Sequence, residues 1–132
     1  MTVDIHRALV GAFIAEDFGL PIAYENMHYT PEHGEDYFAL RVLQNDITAY
    51  TLAHTDESDG VFRIILRTEP GAGAIAPQVK TEQVLSAFRL GRRLVEDTTV
   101  VLVTSKQVQP GVVADGWYTT VIDVRYRAFS KR

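Results

Sequence analysis

The chain contains no cysteine. That absence excludes disulfide staples, cysteine nucleophiles and thiolate metal sites together, and it fits a reducing compartment. Positive charge is also scarce: 13 Lys and Arg stand against 17 Asp and Glu, a formal net charge of -4. A duplex-binding protein needs a dense basic surface to displace counterions, so no nucleic-acid site is expected, although net charge does not report how charge is distributed. No stretch approaches the ~20 apolar residues that span a bilayer, and no membrane partner is expected. The start, Met1-Thr2-Val3-Asp4-Ile5-His6-Arg7, lacks a cationic segment followed by an apolar run, as a secretory signal would have. The chain is therefore expected in the cytoplasm where it is made. Internal repeats and low-complexity linkers are missing as well.

What is present suits one globular domain over residues 1–132, with 46% hydrophobic and 23% charged residues. A domain of this length buries roughly two-thirds of its unfolded surface, enough for a self-supporting core. Ile5, Ala8, Leu9, Ala12 and Phe13 recur at helical spacing and predict a first helix over about 4–17, capped by Thr2 or Asp4 and ended by Gly19 and Pro21. Strands are predicted near 22–29, 36–43, 61–68, 99–104 and 118–129, where apolar and polar residues alternate. On the third of these, Phe62, Ile64 and Leu66 share one face while Arg63 and Arg67 point the other way. On the last, Ile122, Val124 and Tyr126 alternate with Asp123, Arg125 and Arg127. A second helix is predicted over roughly 76–90, with Pro77 in its first turn. Strands that are apolar on one face belong to a sheet covered on one side. The expected fold is thus α+β: a mainly antiparallel sheet of about five strands with two helices packed on one face.

Several residue patterns bear on chemistry. Gly71-x-Gly73-x-x-Ala76 lies between a strand and a helix, as a dinucleotide fingerprint does. The arginines on the preceding strand, the lack of an acid after the following strand and the short chain all favour a plain loop, so no cofactor is expected. His28, Glu32, His33, Glu35 and Asp36 gather around one turn but match no standard ligand spacing, and no metal is expected. His6 and His54 are isolated, and no serine lies in a Gly-x-Ser-x-Gly context, so no catalytic residue is assigned. Arg89, Arg92 and Arg93 form a basic run at the end of the second helix, where cations suit the helix dipole. The same run could meet Asp56, Glu57 or Asp59 of a neighbouring copy. Those acids, with Tyr50, lie in a long polar stretch, residues 44–60, which together with Arg89, Arg92 and Arg93 is the candidate interface with a neighbouring copy.

One ordered set of residues carries a resemblance. Gly19-Leu20-Pro21-Ile22-Ala23-Tyr24-Glu25-Asn26 is followed by Tyr29-Thr30-Pro31 and Gly34, then Arg41-Val42, Gly60-Val61-Phe62, Pro70-Gly71-Ala72-Gly73 and Asp115-Gly116-Trp117-Tyr118. This order resembles the tail-terminator-like proteins of tailed bacteriophages and prophages over nearly the whole chain. Tyr24 stands where the family more often has tryptophan, and residues 44–60 match least. The resemblance implies a structural virion protein, not an enzyme. Such a protein would assemble with itself as a ring, commonly a hexamer, on the tail tube, stop tube polymerisation and present a surface to a head-completion or connector protein. Its place would be the virion tail, assembled in the bacterial host cytoplasm. Another head–tail joining or tail-completion protein would share these traits; a small-ligand-binding α+β domain is the reading from a different class, and it requires a closed apolar pocket.

Overall fold

The computed structural model describes residues 1–31, 35–52 and 54–132, with Pro110 by its backbone alone. Glu32, His33 and Gly34, part of the expected turn and of its histidine–carboxylate cluster, lie outside the described residues. The elements run α1 (Thr2–Glu16), β1 (Ile22–Ala23), β2 (Tyr37–Ala49), β3 (Thr55–Thr68), α2 (Ile75–Ala87), β4 (Arg93–Glu96), β5 (Thr99–Ala114) and β6 (Trp117–Lys131).

The five-strand antiparallel sheet expected from sequence is corrected here. The strands form one six-stranded, curled, half-barrel sheet in the order β1-β2-β3-β6-β5-β4. It is mixed, because β1 pairs with β2 in parallel while every other pair is antiparallel. The extra strand, β4, carries only Leu94 toward the core, too short a segment for alternation to reveal. β1 keeps just two residues of the predicted 22–29 segment. In the other direction, β2, β3 and β5 run far past their apolar stretches. Residues 44–60 are largely strand: β2 extends to Ala49, β3 starts at Thr55, and the register pairs Asp56 with Ser130 and Glu57 with Phe129 of β6. Gln109-Pro110-Gly111, between the strands predicted near 99–104 and 118–129, falls within β5 as a bulge between Gln109 and Val112.

Alternation decides which face is covered. Phe38, Leu40 and Val42 of β2, Phe62, Ile64 and Leu66 of β3, and Ile122, Val124, Tyr126 and Ala128 of β6 are buried against Ile5, Leu9 and Phe13 of α1 and Val84 and Phe88 at α2. α1 ends at Asp17, whose left-handed φ of 49° closes the helix before Gly19. Asp4 is not its cap: it lies in the first turn, where negative charge is favoured, and accepts a hydrogen bond from Thr99 at 3.1 Å. The carbonyls left open at the end of α2 are met by Lys106 Nζ, which donates to Leu85 O at 2.7 Å, and by Arg92, which donates to Ala87 O at 2.6 Å. The loop before α2 holds Gly71 and Gly73 at φ 87° and 88°. β3, which precedes it, is antiparallel to both its neighbours, so the loop does not sit in a parallel βαβ unit.

One buried polar atom gives a pH prediction. The Tyr126 hydroxyl is buried without a hydrogen-bond partner, and burial pushes its pKa up to about 12, with the Asp59 carboxylate acting the same way. An unfolded tyrosine ionises near 10. Between these values the unfolded chain sheds a proton that the folded chain keeps, so the group favours folding below pH 10 and this contribution is lost as pH rises toward 12. In Tyr126→Phe the alkaline loss of stability should be smaller by on the order of 2 kcal/mol, read as the difference between urea titrations at pH 8 and above pH 11. Equal losses in both proteins would refute it.

Candidate functional site

The strand registers define the sheet face opposite the helices row by row. Tyr37, Arg67, Thr119 and Val112 lie side by side across β2, β3, β6 and β5. The next rows are Ala39, Ile65, Val121 and Gln109; then Arg41, Arg63, Asp123 and Gln107; then Leu43, Val61, Arg125 and Ser105. Arg63 makes a two-pronged contact with Asp123, Nε to Oδ1 at 2.9 Å and a terminal nitrogen to Oδ2 at 3.1 Å. This hydrogen bonding to Asp123 raises the Arg63 pKa further above its ordinary value, against a smaller opposing effect of burial. Arg67 donates to the Tyr37 hydroxyl at 3.1 Å, while its Nε is buried without a partner. Arg41 and Arg125 are exposed and form no ion pair among the described residues.

The sheet also has two open edges. β1 covers the outer side of β2 only at Phe38 and Ala39, Glu25 Oε1 accepts from the Val42 N–H at 3.1 Å, and β2 then continues to Ala49 with no strand on that side. β4 covers β5 from Thr99 to Leu102, and backbone bonds from Gly91 and Arg92 cover Val103. Beyond that, β5 runs to Ala114 with no outer neighbour, exposing Val112 and Val113 at 63% and 64%. Natural sheets usually blunt such edges with charge, cover, proline or a bulge, and here Pro110 and the bulge between Gln109 and Val112 interrupt the edge. Residues 104–114 carry one charged side chain, Lys106, which is tied back to α2.

The residues proposed from sequence fall into two groups. Tyr50 sits at the tip of the β2–β3 hairpin, its ring 5.0 Å from that of Phe129. Asp56 pairs with Arg132 at 3.0 Å, Glu57 is held by Arg127, and Asp59 accepts a hydrogen bond from Asn45 at 2.9 Å. Glu57 and Asp59 line a shallow groove of about 310 Å³ with Asn45, Asp46, Thr48 and Ser58. Arg89 and Arg92 line a wider, open groove of about 780 Å³ between α1 and α2. Arg92 also reaches Glu16 at 3.1 Å and lies over the Phe88 ring at 5.5 Å. Arg93 starts β4 in the same row as Leu102, Arg127 and Asp59. That row puts Arg93 and Asp59 three strand spacings apart, ~14 Å, so the two groups do not meet within one subunit. What sequence reasoning missed is the arginine face and the bare edge of β5. The alternation marked Arg63, Arg67, Arg125 and Arg127 as pointing away from the core, but only the register makes neighbours of Arg41, Arg63 and Arg125.

Among the described residues, no cluster of His, Asp and Glu side chains is arranged to hold a metal ion. No helix is long and apolar enough to cross a membrane.

A mixed sheet with one bare face and two bare edges defines a protein built for contact along its surfaces. The chain belongs to the family described as phage tail terminator protein, which it matches over residues 4–126. It is thereby a structural component of the phage tail, with other tail or head proteins as the expected class of partner. No curated protein matches the sequence. A solved structure that carries no functional name is similar over 100% of this chain and 96% of its own, with a TM-score of 0.76 and 17% identity. At that identity the likeness speaks for the fold alone.

Proposed function

We propose that the chain caps the phage tail tube as a closed ring, stopping tube polymerisation and offering the surface that meets the head. The observation that carries this reading is the pair of open edges, which are different from one another and lie on opposite sides of the sheet. A ring needs heterologous contacts, in which one patch of each subunit meets a different patch of the next. β2 and β5 run in opposite directions within one sheet, so a neighbour keeping the same strand orientation would pair its β2 edge antiparallel to the β5 edge. The open parts lie at diagonal corners, because β1 guards the start of β2 and β4 guards the start of β5. Neighbours would therefore be displaced along the strand direction, the kind of stagger that closing a sheet into a barrel requires.

The test is assembly state. The wild-type chain should form a ring in light scattering and negative-stain images, alone at high concentration or on purified tail tubes. Val112→Lys with Val113→Lys puts two charges on an edge that is already solvated in the monomer. The double variant should keep its folding midpoint and lose ring formation by at least tenfold in concentration dependence. Rings of unchanged affinity in that variant would overturn the edge pairing. A wild-type chain that stays monomeric at every concentration, with and without tubes, would overturn the ring itself.

A further inference from the structure

We propose that the uncovered sheet face binds the phosphodiester backbone of a single nucleic-acid strand, without reading its sequence. Arg41, Arg63, Arg67 and Arg125 lie on adjacent strands of this face with Asp123 among them, and Asp59 and Glu57 follow on the same face beside Arg127. The chain as a whole is acidic, yet this face carries more arginine than carboxylate. Two features of the arrangement have no structural benefit. Arg41 stands directly opposite Arg63, and like charges in opposed positions of an antiparallel pair destabilise it. Asp123 spends both its oxygens on Arg63, leaving Arg41 and Arg125 uncompensated among the described residues. An anion laid across the face would resolve both.

The chemistry of that anion follows from the side chains. The four cations are all arginine, and a planar guanidinium grips phosphate with two parallel hydrogen bonds. They are spread over three strands and several rows, which suits a repeating anion better than one small ion. Rows on the same face are ~7 Å apart, a distance that a flexible polynucleotide can match phosphate by phosphate. Aromatic rings stand at both ends. At one end Tyr37, itself buried at 5% exposure, contacts the half-buried rings of Trp117 at 5.2 Å and Tyr29 at 4.9 Å, so those two rings are the ones open to a base. At the other, Tyr50 packs on Phe129, with Arg127 over the Phe129 ring at 5.3 Å. Tyr50 is 58% exposed. Basic surfaces flanked by rings are how sequence-tolerant single-strand sites are built, the rings stacking on unpaired bases. An acidic protein surface would answer the charges but not the rings, and this favours the nucleic acid. The net charge pointed away from such a site because it averages over an acidic remainder.

The experiment uses the full chain and fluorescence anisotropy with a fluorescein-labelled thymidine oligonucleotide, a duplex of the same length, and polyglutamate as competitor. Single-stranded DNA should bind at 50 mM salt and weaken about tenfold or more by 200 mM, as expected when about three phosphates are neutralised. Arg41→Glu with Arg125→Glu should abolish binding with an unchanged folding midpoint, whereas Arg89→Glu, on the helix side, should bind as wild type. Light scattering in the same buffer separates this result from success or failure of the ring. No anisotropy change at 50 mM salt, wild-type binding by the Arg41/Arg125 variant, or tighter binding of the duplex would overturn the proposal. Displacement by polyglutamate at equal charge would also overturn it and assign the face to an acidic protein.

Discussion

Phe13→Ala is expected to lower folding stability by about 3–5 kcal/mol, the range for truncating a fully buried aromatic ring. Phe13 is the junction of the core. From α1 its ring meets Phe18 at 4.9 Å, Phe38 of β2 at 5.0 Å, Phe62 of β3 at 6.3 Å and Phe88 at the end of α2 at 6.5 Å. Two of these contacts are edge-on, a geometry that adds about 0.5–1.5 kcal/mol per pair beyond the area buried. The surrounding rings are held by separate elements, so they cannot all move into the space left behind, and a cavity should remain. Urea unfolding followed by far-UV circular dichroism is the measurement. Ile14→Ala, next along the same helix but 46% exposed, should change stability by about 0.5 kcal/mol or less. Similar costs at the two positions would mean that α1 is not anchored through Phe13.

The contrast between these neighbours was legible in the sequence, and its limits are physical. Helical spacing identified Ile5, Ala8, Leu9 and Phe13 as one buried stripe, because a helix covering a sheet needs a continuous apolar face. Alternation likewise found the core residues of β3 and β6, since each strand has one wet and one dry face. The same logic fails where a strand leaves the core. Residues 45–49 and 111–114 extend beyond the helices and are exposed on both faces, so no buried apolar face marks them as strand. The stretch after residue 104 reads as a loop and 44–60 only in part as a hairpin arm, although apart from the bulges their backbones are paired on one side. β1 and β4 are too short to show a period at all. Among the candidate contact residues, Asp56 and Glu57 looked free because their partners, Arg132 and Arg127, come from the far end of the chain. Arg92 likewise finds Glu16 across the molecule. The arginine face is the extreme case: the sidedness of each residue is local information, but the pairing of Arg41 with Arg63, and of Val61 with Arg125, is set by tertiary register.

Gly60 shows the same dependence on register, and it carries the second large prediction. In β3 it faces Gln44 of β2 on one side and Tyr126 of β6 on the other. A Cβ added here would lie 2.2 Å from the Leu43 carbonyl oxygen and 2.6 Å from the Tyr126 hydroxyl oxygen. Glycine within a strand commonly marks such a close approach, and this one sits beside the irregularity in register between Gln44 and Ile47. Gly60→Ala should therefore cost about 1–3 kcal/mol or more, although alanine is the better residue on entropic grounds alone. The two contacts can be separated. Tyr126→Phe removes the hydroxyl and leaves the carbonyl, so the double variant measures how much of the cost is backbone. Because a side-chain tip can shift and a ladder carbonyl cannot without breaking the pairing of β2 with β3, the double variant should recover less than half of the loss. Full recovery in urea unfolding would place the clash on Tyr126 alone and would mean that the β2–β3 hairpin has slack where it turns away from the core.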